Sequence, residues 1–215
     1  MTLALFDLDN TLVDRTAAFA EAVPGLARRY DLDPVEAVPF IIRTDQDGTV
    51  GWPVWMGALI ERFGIDTTVD EMRAAFVSGY LAAYRLDPGV ADALRRLREA
   101  GWSTGIVTNG PPSQADKITG TGLAGLVDGW VVSEELGVRK PDPRIFAEAA
   151  ARCGAELAGG WMVGDSAHAD MAGARNAGLR SIWLPRGRPW PADAPGPDHQ
   201  ADGPVAAIEL ILAQA

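Results

Sequence analysis

Leu3-Ala4-Leu5-Phe6 is an unbroken apolar run that meets two acidic residues, Asp7 and Asp9, as soon as it ends. A short continuous apolar segment is the pattern of a strand buried on both faces. The pattern returns at Ser103–Val107, Trp130–Val132, Trp161–Val163 and Ser181–Leu184. Between these runs the apolar positions recur with helical spacing. Helices are expected at Val90–Ala100, stopped by Gly101, at Pro112–Ile118, and at Arg144–Cys153, stopped by Gly154. Another passes through Met171 and Ala174 to a stop at Gly178, and Val205–Ala213 closes the chain. Strands alternating with helices predict a doubly wound α/β fold around a parallel, Rossmann-like sheet.

Residues 14–86 break this rhythm. They contain no strand pattern, and their apolar positions are helical throughout. Phe19, Val23, Leu26 and Ala27 mark a helix over Thr16–Tyr30 that Pro24 interrupts. Pro34–Arg43 is a second short helix, weakened by Pro39. Thr44-Asp45-Gln46-Asp47-Gly48 is rich in turn residues. Trp52, Trp55, Met56, Leu59, Ile60 and Phe63 then follow at helical spacing as far as Gly64, and Met72, Phe76 and Tyr80 do the same over Val69–Tyr84. The predicted organisation is an α/β core of residues 1–13 and 87–215, with a helical insert over 14–86. Pro185–Pro204 holds six of the fifteen prolines and is expected as an extended surface loop.

Composition narrows the partners. A hydrophobic share of 47% and a charged share of 22% are those of an ordinary globular chain with one large core. The net charge of −10 opposes nucleic acid and anionic membrane as partners. No apolar run is long enough for a membrane span and no basic-then-apolar leader precedes the first strand, so cytoplasm is the expected location. A monomer or homodimer acting on a small molecule is the expected state. The lone cysteine, Cys153, cannot form an internal disulfide and is expected to pack as a small apolar group. Of 19 basic residues only Lys117 and Lys140 are lysines. Lys140 lies between Arg139 and Pro141, where a rigid loop can aim a compact ammonium. Lys117, on an expected helix face, is taken as a lysine by chance.

The chemistry is concentrated where strands end. Asp7, Thr108, Ser133 and Asp165 terminate the first four predicted strands, and open parallel sheets bind ligands at the carboxyl ends of strands. Two carboxylates as close as Asp7 and Asp9 repel, and a divalent cation relieves the repulsion. Oxygen-only ligands favour magnesium (Mg2+). Taken singly these features are ordinary: Thr108-Asn109-Gly110 makes a turn, and Asp165-Ser166 caps a helix. Together they match a cation plus a phosphoryl group.

Four stretches in order, Asp7-Leu8-Asp9-Asn10-Thr11, Thr108-Asn109-Gly110, Lys140 within Gly137–Asp142, and Gly164-Asp165-Ser166 with Asp170, carry a resemblance that spans the chain. It resembles the haloacid dehalogenase (HAD) superfamily, in the branch of capped, phosphoglycolate phosphatase-like enzymes, with residues 14–86 where that family places its cap. The resemblance implies that Asp7 is a nucleophile forming an aspartyl-phosphate and that Asp9 is the general acid and base. It implies Asp7, Asp9 (through its backbone carbonyl) and Asp165 as magnesium ligands. Thr108, Asn109 and Lys140 would hold the phosphoryl oxygens, with Thr11 and Asp170 in support. Asp45, Gln46, Asp47, Trp52 and Trp55 are the cap candidates for substrate contact, although packing of the insert is the favoured reading of both tryptophans. His168 is taken as an exposed loop or first-turn residue, since the resemblance does not require a histidine there.

The implied function is a magnesium-dependent phosphatase of a small phosphorylated metabolite. Three alternatives compete. A phosphomutase would use the same intermediate. A 2-haloacid dehalogenase would attack carbon without a metal, but the family's dehalogenases lack the second aspartate, which is Asp9 here. A non-enzymatic phospho-acceptor would have no use for an insert that gates substrate.

Overall fold

The structure, a computed structural model, describes residues 2–214. Among these residues the chain forms two compact units, one of 2–13 with 86–214 and one of 14–85.

In the larger unit, β1 (Leu3–Phe6), β2 (Ser103–Thr108), β3 (Gly129–Val132), β4 (Trp161–Gly164), β5 (Arg180–Trp183) and β6 (His199–Gln200) form one sheet in the order β3-β2-β1-β4-β5-β6. Every pairing is parallel. β1, β2 and β4 are buried along their whole length, which is why they lack the alternation of half-buried strands. β1 sits between β2 and β4, so the direction in which successive strands are added across the sheet reverses beside it.

The first six helices of the chain in order are α1 (Arg15–Arg29), α2 (Pro34–Asp45), α3 (Trp52–Phe63), α4 (Val69–Ala83), α5 (Pro88–Glu99) and α6 (Ser113–Gly120). The last four are α7 (Ser133–Leu136), α8 (Pro143–Arg152), α9 (Ala172–Ala177) and α10 (Pro204–Leu212). Leu3 and Leu5 of β1 bury against Val107, Val131 and Met162 of neighbouring strands and Ile145, Phe146, Ala149 and Ala150 of α8. Cys153 belongs to this cluster and its thiol donates to the Thr104 carbonyl at 3.4 Å. Burial, with Asp128 nearby, pushes that thiol up to about 11, so it behaves as packing material.

Three helices start at an Asp-Pro pair: Asp33-Pro34, Asp87-Pro88 and Asp142-Pro143. Each aspartate accepts a hydrogen bond from a first-turn N–H, and each proline supplies the first helical residue, where its missing N–H costs nothing. This is why α5 and α8 begin two residues and one residue before their expected starts.

The smaller unit comprises α1 to α4 with a 3₁₀ turn at Gln46–Gly48. Phe19 meets Trp55, Phe76 and Tyr80 edge-on at centroid distances of 5.7, 5.7 and 6.0 Å. Pro24 does not interrupt α1 and Pro39 does not weaken α2 to a fragment, since each lies inside a continuous helix. The buried Phe19, Val23, Leu26 and Ala27 of α1 supply packing that outweighs one lost backbone hydrogen bond. The expected loop at 44–48 is shorter than foreseen, because α2 continues to Asp45.

Pro185–Pro204 is likewise not loop throughout, because β6 lies within it. Two exposed polar residues give no strand pattern, and the register comes from elsewhere: the Asp198 carboxylate accepts from the Ser181 N–H and hydroxyl, both at 2.8 Å.

Candidate active site

Asp7 follows β1 directly, and its N–H donates to the Val163 carbonyl at 2.9 Å, which extends the β1–β4 ladder by one residue. The chain then turns tightly, with the Leu8 carbonyl accepting from the N–H groups of Thr11, Leu12 and Val13 at 3.3, 3.0 and 3.2 Å. Asn10 adopts φ 62°, a left-handed conformation that asparagine tolerates better than most residues. The turn brings the Thr11 hydroxyl back to donate to Asp7 Oδ2 at 3.2 Å.

Lys140 is the hub. Its ammonium donates to Asp7 Oδ1 at 2.6 Å, to Asp170 Oδ1 at 2.7 Å and to the Val107 carbonyl at 2.7 Å. Three acceptors satisfy its three N–H donors, so a lysine that is only 3% exposed is tolerated. Its backbone is clamped by Asn109, whose Oδ1 accepts from the Lys140 N–H at 2.9 Å and whose Nδ2 donates to the Lys140 carbonyl at 3.1 Å. Asn109, expected at the phosphoryl group, therefore uses its side chain to hold the Lys140 backbone.

Asp165 and Asp170 come from the end of β4 and from the π-helical turn Ala167–Met171. Asp170 Oδ2 accepts from the Ser166 N–H at 2.9 Å, and Gly164 makes room, because a Cβ there would overlap the Asp170 carboxylate. One oxygen each from Asp7, Asp165 and Asp170 lie within 4.8 Å of one another. This oxygen-only set of three carboxylates fits a hard divalent cation. Ser133, at the end of β3, accepts from the Gly110 N–H at 3.0 Å and so steadies the Thr108-Asn109-Gly110 turn. His168 is exposed, as expected.

Burial dominates the electrostatics. It raises Asp7 to about 7, with Lys140 opposing and Asp170 and Asp9 reinforcing the shift. Burial also raises Asp165 to about 6, and Asp7 adds to the shift while Arg188 opposes it. Asp170 is raised for the same first reason, against Lys140. For Lys140 burial acts the other way, yet Asp170 and Asp7 outweigh it and hold the ammonium above its usual range. Like charges crowded into a buried pocket are what a cation would relieve.

Three residues that the sequence did not single out as site residues also meet here. Lys117, expected to be a lysine by chance on a helix face, is buried on α6 and its Nζ lies 2.6 Å from Asp9 Oδ2. Gln114, one helical turn earlier, donates through Nε2 to the same oxygen at 3.0 Å and to Thr108 Oγ1 at 2.7 Å. Arg188, from the proline-rich stretch, donates to Asp165 Oδ2 at 2.7 Å and to its carbonyl at 2.8 Å. The scarcity of lysine was the one signal for Lys117. Arg188 had none, since its loop has no period to read.

In the smaller unit, Asp45 is buried, and both its oxygens accept from Arg15 at 2.7 Å. Oδ2 also takes the Gly48 N–H at 2.9 Å, so this carboxylate holds the turn after α2 together. Trp55 is fully buried, and Trp52 packs edge-on against Phe76 and Tyr80, both at 5.3 Å. Gln46 and Asp47 are exposed in left-handed conformations at φ 48° and 55°, with Asp47 Oδ1 accepting from the Thr16 hydroxyl at 2.5 Å.

A family model described as haloacid dehalogenase-like hydrolase matches residues 1–178, and the chain belongs to that family. It is 30% identical over 225 residues to the glyceraldehyde 3-phosphate phosphatase of Methanopyrus kandleri, covering 96% of this chain and 95% of that one. It is 35% identical over 199 residues to the pyrimidine 5′-nucleotidase YjjG of Escherichia coli, covering 83% and 84%. The crystal structure of a HAD phosphatase from Thermococcus onnurineus matches with a TM-score of 0.69 and 25% identity, over 99% of this chain and 98% of that one.

Proposed function

We propose that this chain is a magnesium-dependent phosphatase of a small phosphorylated metabolite, working through an aspartyl-phosphate on Asp7. The observation that supports this most is the Lys140 ammonium, 2.6 Å from Asp7 and 2.7 Å from Asp170, in a pocket where Asp165 supplies a further carboxylate. The names of the Methanopyrus and Escherichia relatives, one a sugar-phosphate phosphatase and the other a nucleotidase, support the substrate class.

In this reading a carboxylate oxygen of Asp7 attacks phosphorus, the ester P–O bond breaks, and Asp9 gives its proton to the departing oxygen. Asp9 then takes a proton from the water that attacks the same phosphorus, and the Asp7 carboxylate leaves as inorganic phosphate forms. Thr108 and backbone amides of its turn receive the phosphoryl oxygens, and Lys140 offsets their charge. Asp7, the Asp9 carbonyl and Asp165 would hold the cation, with Asp170 behind them fixing Lys140. Bound magnesium supplies charge neutralisation between an anionic nucleophile and an anionic substrate. Residues 14–85 serve as the inserted cap, with Gln46, Asp47 and Trp52 the remaining candidates for substrate contact.

A hydrolysis screen over phosphorylated acids, sugars and nucleotides tests the reading. Phosphate release is expected in magnesium and not in chelator, and not from Asp7→Asn under either condition. Equal rates in chelator, or turnover by Asp7→Asn at the wild-type rate, would overturn it.

A further inference from the structure

Both lysines of this chain are bonded to the aspartates of the first turn: Lys140 to Asp7 and Lys117 to Asp9, each at 2.6 Å. At seventeen other positions the chain uses arginine. The Lys117 contact is built rather than incidental. Gln114 and Lys117 are three residues apart and share one face of α6. Both are buried, at 3% and 6% exposure, although polar residues on a surface helix ordinarily face water. Their donors converge on one oxygen, Asp9 Oδ2, at 3.0 and 2.6 Å. The Gln114 amide also reaches Thr108 Oγ1 at 2.7 Å. Because Thr108 accepts there, its own O–H is directed elsewhere as a donor, which is what a phosphoryl oxygen requires.

We infer that Gln114 and Lys117 are positioning residues that lock the carboxylate of Asp9 and the hydroxyl of Thr108 into one arrangement. The inference rests on the reading of Asp9 as proton donor and adds the element that aims it. Two donors on one carboxylate oxygen fix its rotamer, and proton transfer loses efficiency steeply when the donor is misdirected. A lysine suits this position because its compact ammonium fits beside the glutamine amide, where a planar guanidinium is wider.

The test compares esters that differ in their need for protonation. In a single turnover, release of the leaving group reports the first step alone. Leaving-group release from p-nitrophenyl phosphate needs little help from an acid, whereas release from an alkyl phosphate depends on one. Lys117→Met is expected to slow alkyl ester cleavage roughly 100-fold, the low end of what a positioned acid contributes, and the aryl ester about tenfold or less. KM should stay within about threefold, since binding is not what the brace provides. Gln114→Ala should show the same selectivity in milder form, which keeps the test alive if Lys117→Met folds poorly. Lys117→Arg should recover part of the alkyl ester rate. Equal losses for both esters in Lys117→Met and Gln114→Ala would overturn the inference and make the pair structural. Asp9→Asn serves as the reference. If it discriminates between the esters and the Lys117 and Gln114 variants do not, only the brace is wrong. If it treats both esters alike, the acid role of Asp9 falls and the brace falls with it.

Discussion

Lys140 and Asp7 stand 133 residues apart in sequence and 2.6 Å apart in space, with the lysine side chain only 2% exposed. Removing such a lysine leaves two carboxylates buried without their shared cation. Lys140→Ala is therefore expected to destabilise the protein by about 3–5 kcal/mol, the usual cost of breaking a buried ion pair. In a chain of this length that corresponds to a fall in Tm of roughly 10 °C. Urea denaturation checks it, and a change below about 1 kcal/mol would show that Asp7 and Asp170 do not depend on Lys140.

The raised values of Asp7 and Asp165 give stability a definite pH dependence. An acid held above its ordinary value of 3.8 binds its proton more tightly when folded than when unfolded. The stability this provides is complete below that ordinary value and is lost as pH rises through about 6 for Asp165 and about 7 for Asp7. Lys140 is raised as well, so its contribution stays constant over the same range. In chelator, Tm should fall between pH 5 and pH 8. Magnesium should reverse the fall, with a larger gain at pH 8, because ligand carboxylates must be ionised. A magnesium shift equal at both pH values would contradict these assignments.

Arg188 donates to Asp165 Oδ2, and the Arg188 side chain is about half exposed. A cation taken up by that carboxylate has to share it. Arg188→Ala should therefore tighten magnesium binding by up to about fivefold, in keeping with the modest worth of an exposed ion pair. Isothermal calorimetry reads this without turnover. Weaker binding in the variant would mean that Arg188 shapes the site for the metal instead of competing with it.

Asp45 predicts an effect in the smaller unit. Because Arg15 takes both of its oxygens, Asp45→Ala should cost about 3–5 kcal/mol by removing the carboxylate that a buried guanidinium donates to twice. Trp52→Ala should instead alter the ranking of substrates. A stable Asp45→Ala protein with a changed substrate ranking would restore Asp45 as a contact residue.

The parts of the site that could be read from the sequence are those tied to strand ends. Asp7, Thr108 and Asp165 each follow a short apolar run, and a parallel sheet brings such positions to one edge whatever their separation. Lys140 could be read because prolines fix its loop. Lys117 could not be placed, because a charge on a helix is usually solvated and its partner lies 108 positions away. Asp45 looked like a residue reaching for a ligand, since nothing in a linear string pairs it with Arg15. Arg188 and β6 lie in a stretch without periodicity, where long-range hydrogen bonds decide the conformation. The Asp-Pro helix starts were visible in the sequence, but their capping chemistry needs the prolines to be read as beginnings instead of breaks.

Asp7 should become covalently phosphorylated during turnover. The direct measurement is acid quenching of the working enzyme with substrate and magnesium, followed by digestion and mass spectrometry of the peptide carrying residues 3–13. The added mass of one phosphoryl group is expected on Asp7, lost on longer incubation and missing from Asp7→Asn. Steady turnover with that peptide unmodified at every quench time would contradict it.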